Sequence, residues 1–385
     1  MRSVLTIGLA LLFLTGCSSL KFWDRDGEED LSGPAKLSGF DEEVRFRRVW
    51  STSVGSGLDE HHPTLNPVLL GGVVYAAGSG GDVAAIDAES GERLWRARLK
   101  KRSLTGGVGV GGDLVLVGTV GGRVYALDRA SGETRWDRQL SSEILDAPAA
   151  NRRIVVVRTA NGYLHGLDPE TGEQRWQMDY EKPLLTLRRE SNPVIVGSTL
   201  LVGFSNGRLR AFNAVDGVTQ WEVRLAIPQG RNELERMVDL ATPVVGGDVV
   251  YAAGYQGRVS AVSRGTGRTL WMQDASTYFK PAVGGNQVYV VETDDRIRAL
   301  RASSGAELWS NHDLRYRRLT SPVVLDRWLI VADGEGYIHA LDQSNGEYAG
   351  RTRAGRGGVS SHLLADGQRF YVMTNNGRVT AYEQR

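Results

Sequence analysis

At 385 residues the chain is long enough for two or three ordinary domains, and its formal net charge of +1 excludes the strongly basic footprint of a nucleic-acid binder. A single cysteine excludes an internal disulfide and a thiolate-rich metal site. Forty-eight glycines and few helical patterns suit a fold made of many tight hairpins.

The first sixteen residues place a positive start, Met1-Arg2, before an apolar run from Val4 to Leu14. That order is the one of a secretory signal peptide, and the run is too short to span a bilayer as a helix. Leu14-Thr15-Gly16-Cys17 follows directly and resembles the bacterial lipobox. The resemblance implies that Cys17 becomes the lipidated first residue of the mature protein. By the same resemblance, Ser18 in place of Asp implies sorting to the outer membrane. Residues 17–43 are polar, with Gly, Ser, Pro and the acidic stretch Gly27-Glu28-Glu29-Asp30, so composition predicts a flexible tether.

From residue 44 onward one phrase recurs. Ala85/Asp87/Gly91/Trp95 is its first full copy. Ala126/Asp128/Gly132/Trp136, Gly166/Asp168/Gly172/Trp176, Ala211/Asn213/Gly217/Trp221, Ala261/Ser263/Gly267/Trp271 and Ala299/Arg301/Gly305/Trp309 follow. A seventh copy, Ala340/Asp342/Gly346, has Gly350 where the Trp should stand. Units of about 40–45 residues built from short β-branched runs are the signature of a β-propeller.

Within a unit four strands are legible. Pro243 to Ala252 gives two apolar runs split by a turn, and Gly257 to Val262 alternates polar and apolar residues as a half-buried third strand should. Asn161-Gly162, Asn206-Gly207 and Asn376-Gly377 precede third strands and predict type I′ hairpin turns. The recurring Gly opens the turn into a fourth strand that ends at Trp. Third strands end at Asp87, Asp128, Asp168, Asn213, Ser263, Arg301, Asp342 and Glu383, which makes eight. Arg45 to Ser51, centred on Trp50, supplies the fourth strand that the C-terminal unit lacks. Pairing the two chain ends predicts an eight-bladed, all-β propeller over 44–385, closed so that no ring edge is left open. Trp50, Trp95, Trp136, Trp176, Trp221, Trp271 and Trp309 are read as structural, each packing between blades with its ring nitrogen on an acceptor.

Function should sit where this regularity fails. The interval from Trp to the Pro opening the next unit is 12 residues (Trp136 to Pro148), 10 (Trp271 to Pro281) and 13 (Trp309 to Pro322). It stretches to 17 from Trp176 to Pro193 and to 22 from Trp221 to Pro243. Both long loops occupy the same repeat position on consecutive blades, so they should emerge on one face. The first contains Leu184-Leu185-Thr186-Leu187-Arg188-Arg189-Glu190, whose leucines and arginines suit an interface or, alternatively, cover a blade edge. The second includes Asn232 to Asp239, whose apolar Leu234, Met237 and Val238 are compatible with a short helix. Asp239 could pair with Arg188 or with a basic partner residue.

No metal site is predicted. His61 and His62 are adjacent and would point to opposite faces of an extended strand, while His165, His312, His339 and His362 fall in different units. The turn residues Asp87, Asp128, Asp168 and Asp342 are explained by hydrogen bonds to nearby backbone N–H groups.

The repeat phrase resembles the tryptophan-docking repeat of quinoprotein dehydrogenases that use pyrroloquinoline quinone. It does not resemble Trp-Asp-repeat propellers: within the repeats only Trp136-Asp137 makes such a pair. Taken with the lipobox, the tether and the opening Trp50-Ser51-Thr52-Ser53-Val54-Gly55-Ser56-Gly57, residues 1 to 385 resemble the BamB family, lipoprotein subunits of the outer-membrane β-barrel assembly machinery. That resemblance implies a non-catalytic scaffold without cofactor or metal, lipid-anchored on the periplasmic face of the outer membrane. It implies binding to the periplasmic domains of BamA through a Leu-x-Leu-Arg segment, matched by Leu185, Leu187 and Arg188. The family's Asp-x-Asp before Thr-Pro is matched only at its first acid, Asp239. Strand addition of unfolded outer-membrane proteins is a lesser expectation, because a closed propeller offers few free edges. The alternatives are a quinone-dependent dehydrogenase, disfavoured by the absent cysteine pair and haem motif, and a saccharide- or peptidoglycan-binding funnel.

Overall fold

The computed structural model describes residues 33–58, 65–99, 103–187, 191–355 and 357–385. They form thirty-two strands in eight four-stranded antiparallel sheets, and no helix occurs among them. Numbered in chain order, the blades cover 68–98, 104–139, 149–179, 194–224, 244–275, 282–311 and 323–353. The eighth combines three C-terminal strands from residues 364–384 with Phe46–Ser53 from the other end of the chain. In it Phe46 pairs with Gln384 and Ser53 with Arg378, the closure expected from strand counting. First strands of neighbouring blades approach one another, which sets them innermost and the fourth strands outermost.

The core lies between blades rather than within them. Tyr75, Val83, Ala85 and Trp95 of the first blade, for example, pack with Val115, Val117, Tyr125 and Leu127 of the second. The repeat phrase explains how. Ala85, Ala126, Gly166, Ala211, Ala261 and Ala299 each stand opposite their own Trp, leaving room for the indole. Each indole then reaches the next blade. Trp50, Trp95, Trp136, Trp176, Trp221, Trp271 and Trp309 donate to the carbonyls of Ala88, Arg129, Pro169, Ala214, Arg264, Ala302 and Gln343 at 2.8–3.1 Å. Three residues beyond each acceptor is the phrase's Gly, at φ between 70° and 77°, where a Cβ would lie 2.4–3.1 Å from the ring. Glycine is therefore required twice, by conformation and by space.

Gly350 follows from the same rule. A Trp there would need the turn into the fourth strand of the eighth blade, but that blade is split between the chain ends and has no such turn. Val44 occupies the place instead: a Cβ on Gly350 would meet its carbonyl at 2.4 Å.

Two expectations are corrected here. Asn161, Asn206 and Asn376 keep negative φ, and only the following glycines are left-handed. Gly162, Gly207 and Gly377 donate to Thr159, Phe204 and Thr374, so these are tight turns followed by a left-handed Gly rather than type I′ turns. The flexible stretch expected over 17–43 does not extend through its last ten residues. Residues 34–43 lie along the sixth and seventh blades. Ala35 bonds to Arg315 and accepts from Arg317, Leu37 enters the core between the two blades, and Phe40 stacks near Tyr348 and under the Arg351 guanidinium. Two apolar side chains, invisible in an averaged composition, hold the segment down.

The aspartates do what their turns required. Asp87 accepts from the backbone N–H groups of Glu89 and Ser90, and Asp128 from those of Ala130 and Ser131. The Ser131 N–H and the Arg135 guanidinium hold the Asp128 carboxyl down at about 2. Among the described residues no group of three His, Cys, Asp or Glu is arranged to hold a metal ion. His339 has a structural task instead, between Asp333 and Arg351 in the seventh blade.

Candidate functional site

The two long connections leave the outer strands Gln174–Asp179 and Thr219–Arg224 and return to the innermost strands of the next blades. They emerge on the face opposite the tryptophan-docking turns, as their shared repeat position predicts. Their stems are tied tightly. Tyr180 N–H and Leu225 N–H donate to the hairpin glycines Gly162 and Gly207, and Lys182 Nζ donates to Ala160. At the far ends, Asn192 Oδ1 accepts from Ala147 N–H, and Thr242 Oγ1 accepts from Asn192 N–H. One polar chain thus stitches three successive connections together.

Between those stems the first loop turns outward. Leu184 is 93% exposed and Leu185 37%, while Leu187 is half-buried. Leu185 therefore fits the interface expectation better than the edge-covering one, and Leu187 serves partly as packing. Arg188 lies outside the described residues. Leu184 is the residue that motif matching passed over: it stands beside the Leu-x-Leu-Arg pattern, not in it.

The second loop does not form the short helix. Asn232 Oδ1 accepts from Glu235 N–H, Glu235 returns a carboxylate oxygen to Arg231 N–H, and Arg236 N–H reaches Asn232 O. These are the contacts of a helix start, but they close one turn only, because the chain must immediately bury Met237 and Val238 against the blades. Val238 then bridges Asn206, and Leu240 bridges Gly254. Leu234 stays 65% exposed on the turn, with Ile227 exposed at the loop's start. Asp239 is 2% exposed, and its backbone carbonyl accepts from Tyr255 N–H. Its carboxylate is therefore enclosed in this structure.

Among the described residues the arrangement shows no catalytic constellation. What it presents is Leu184 and Leu185 exposed on the first loop, Ile227 and Leu234 exposed on the second, and a hydrogen-bonded frame between the stems. Exposed leucines on loops held by a hydrogen-bonded frame are compatible with a protein-binding surface.

The profile described as "Outer membrane protein assembly factor BamB" matches residues 79–311 and 294–385. A protein of that name from Pseudomonas aeruginosa is 41% identical over 384 residues, covering the whole chain and 98% of the relative. The chain belongs to the BamB family. The same name is carried by an Escherichia coli relative, 32% identical with 98% of each chain covered. Among solved structures, BamB from Moraxella catarrhalis superposes with a TM-score of 0.80 at 28% identity, over 88% of this chain and all of the other. A quinohemoprotein alcohol dehydrogenase from Comamonas testosteroni superposes at 0.66 with 15% identity, over 88% and 76% of the two chains. That likeness is one of fold alone. BamB relatives are assembly factors and not enzymes, so the dehydrogenase alternative falls.

Proposed function

We propose that the protein is a scaffold subunit of the outer-membrane β-barrel assembly complex, anchored through Cys17 to the periplasmic face of the outer membrane. Its loops on the third, fourth and fifth blades bind the periplasmic region of BamA and so assist folding and insertion of outer-membrane proteins. The observation that carries this reading is the exposure of Leu184 and Leu185 on a connection whose both ends are pinned. A solvated leucine pair on a mobile loop would carry little; on a fixed stem it is a preorganised anchor. Arg188 follows it in sequence and completes the Leu-x-Leu-Arg match, and Asp239 in the second loop matches the first acid of the family's Asp-x-Asp.

Affinity isolation from detergent-solubilised outer membrane tests the proposal. Wild type should retain BamA, and Leu185→Asp and Arg188→Glu should each lose it while melting as wild type does. Failure of wild type itself to retain BamA rejects the assignment.

A further inference from the structure

We propose that Arg158 is a positioning residue for this surface: a buried clamp that sets both stems of the Leu184–Leu185 loop without touching the partner. The inference rests on the loop being the partner surface. Register first singles the residue out. In each blade the second-strand residue two places beyond the partner of the phrase's opening Ala or Gly is Ala77, Gly118, Gly203, Ala253, Val291, Ala332 or Met373. In the third blade alone that position is charged, at Arg158.

A guanidinium only 1% exposed is costly unless its donors are used. Here they reach different parts of the loop's frame. Nε donates to Tyr180 Oη at 2.8 Å, and Tyr180 is the residue from which the loop departs. Nη1 donates to Ser191 O at 3.1 Å, where the loop returns, and to Gly203 O at 3.0 Å in the fourth blade. Asp146, from the preceding connection, lies 3.9 Å from Nε. The guanidinium is also 4.7 Å from the Tyr180 ring centre and 5.3 Å from that of Phe204. Departure and return of the loop therefore share one side chain. A ring needing only to be packed would carry Ala or Val there, as other blades do.

The consequence is separable from folding. Tyr180→Phe keeps the ring and removes only the hydroxyl acceptor, whereas Arg158→Met removes the whole clamp. Full-length variants are compared with wild type and with Leu185→Asp by hydrogen exchange and by affinity for the purified periplasmic region of BamA. Loss of one charge-assisted hydrogen bond predicts about tenfold weaker binding and faster exchange confined to residues 181–187 for Tyr180→Phe, with larger effects for Arg158→Met. The melting temperature of Tyr180→Phe should fall only modestly, since one buried donor loses its acceptor, and exchange in 227–241 should stay as in wild type, whereas a merely structural role predicts faster exchange in both loops. Should Arg158→Met fail to fold, Tyr180→Phe decides. Wild-type affinity in Tyr180→Phe alongside loss in Leu185→Asp overturns the clamp and leaves the surface standing. Wild-type affinity in Leu185→Asp overturns the surface, and the clamp with it.

Discussion

On the face that carries the turns into the fourth strands, one joint is repeated seven times: an indole over a left-handed glycine, its N–H on a carbonyl of the next blade. On the opposite face the intervals from Trp to the Pro opening the next blade run from 10 to 22 residues, and those of 17 after Trp176 and 22 after Trp221 stand side by side. The first face is uniform because every blade must solve the same packing problem there. The second is free to vary, since a connection has only to reach the next innermost strand. On the proposed function, stability is concentrated on one face and recognition on the other, so that each can be perturbed without the other.

The largest effect is expected on the uniform face. Trp136→Ala opens a cavity between the second and third blades and removes the hydrogen bond to Pro169. Large-to-small changes of this kind cost about 3–5 kcal/mol, and thermal denaturation should show a correspondingly lower Tm. An unchanged Tm would remove the joint from the account. A smaller loss is expected for Gly350→Trp, which restores the repeat phrase at its one exception. With no turn to receive it, the indole must displace Val44, at about 1–3 kcal/mol for an overpacked site. Exchange should rise in residues 35–44. If instead the variant is more stable, the explanation of the missing Trp is wrong.

These joints also show how far the sequence could be read. Ala85, Gly91 and Trp95 are spaced so regularly that blade number and closure through Trp50 could be counted directly. What spacing hides is which copy serves which: Trp95 docks on Gly132, not on its own Gly91. The strap of residues 34–43 stayed hidden because Leu37 and Phe40 are two apolar residues in a polar stretch. The turns at Asn161 and Asn206 were misassigned because Asn-Gly is compatible with positive φ at both positions without requiring it. The loops are legible by their length, and Leu184 stands among their leucines, but the Leu-x-Leu-Arg match gives it no role. Arg158 was readable: aligning the second strands exposes a charge at an otherwise apolar position.

Acid sharpens the contrast more gently. Burial holds the imidazoles of His165 and His339 below their ordinary value of 6.5, in the latter case against the pull of Asp333. As pH falls through that value the unfolded chain takes up protons that the folded chain resists, so stability is full well above about pH 6.5 and declines as pH falls through it. Tm should drop between about pH 7.5 and 5, and His339→Gln should weaken the drop. A flat profile contradicts the buried, neutral assignment. The smallest effect on stability belongs to the variable face. Leu184→Asp touches no core and should shift stability by less than about 0.5 kcal/mol, while abolishing retention of BamA.

Site-specific photocrosslinking in intact cells tests the division of labour most directly. A photoreactive residue at position 184 is compared with one at Leu94, equally apolar and 52% exposed but on the outer strand of the first blade. The account predicts a crosslink to BamA from position 184 and none from 94. A crosslink from 94 with none from 184 would place recognition on the regular part of the ring and contradict it.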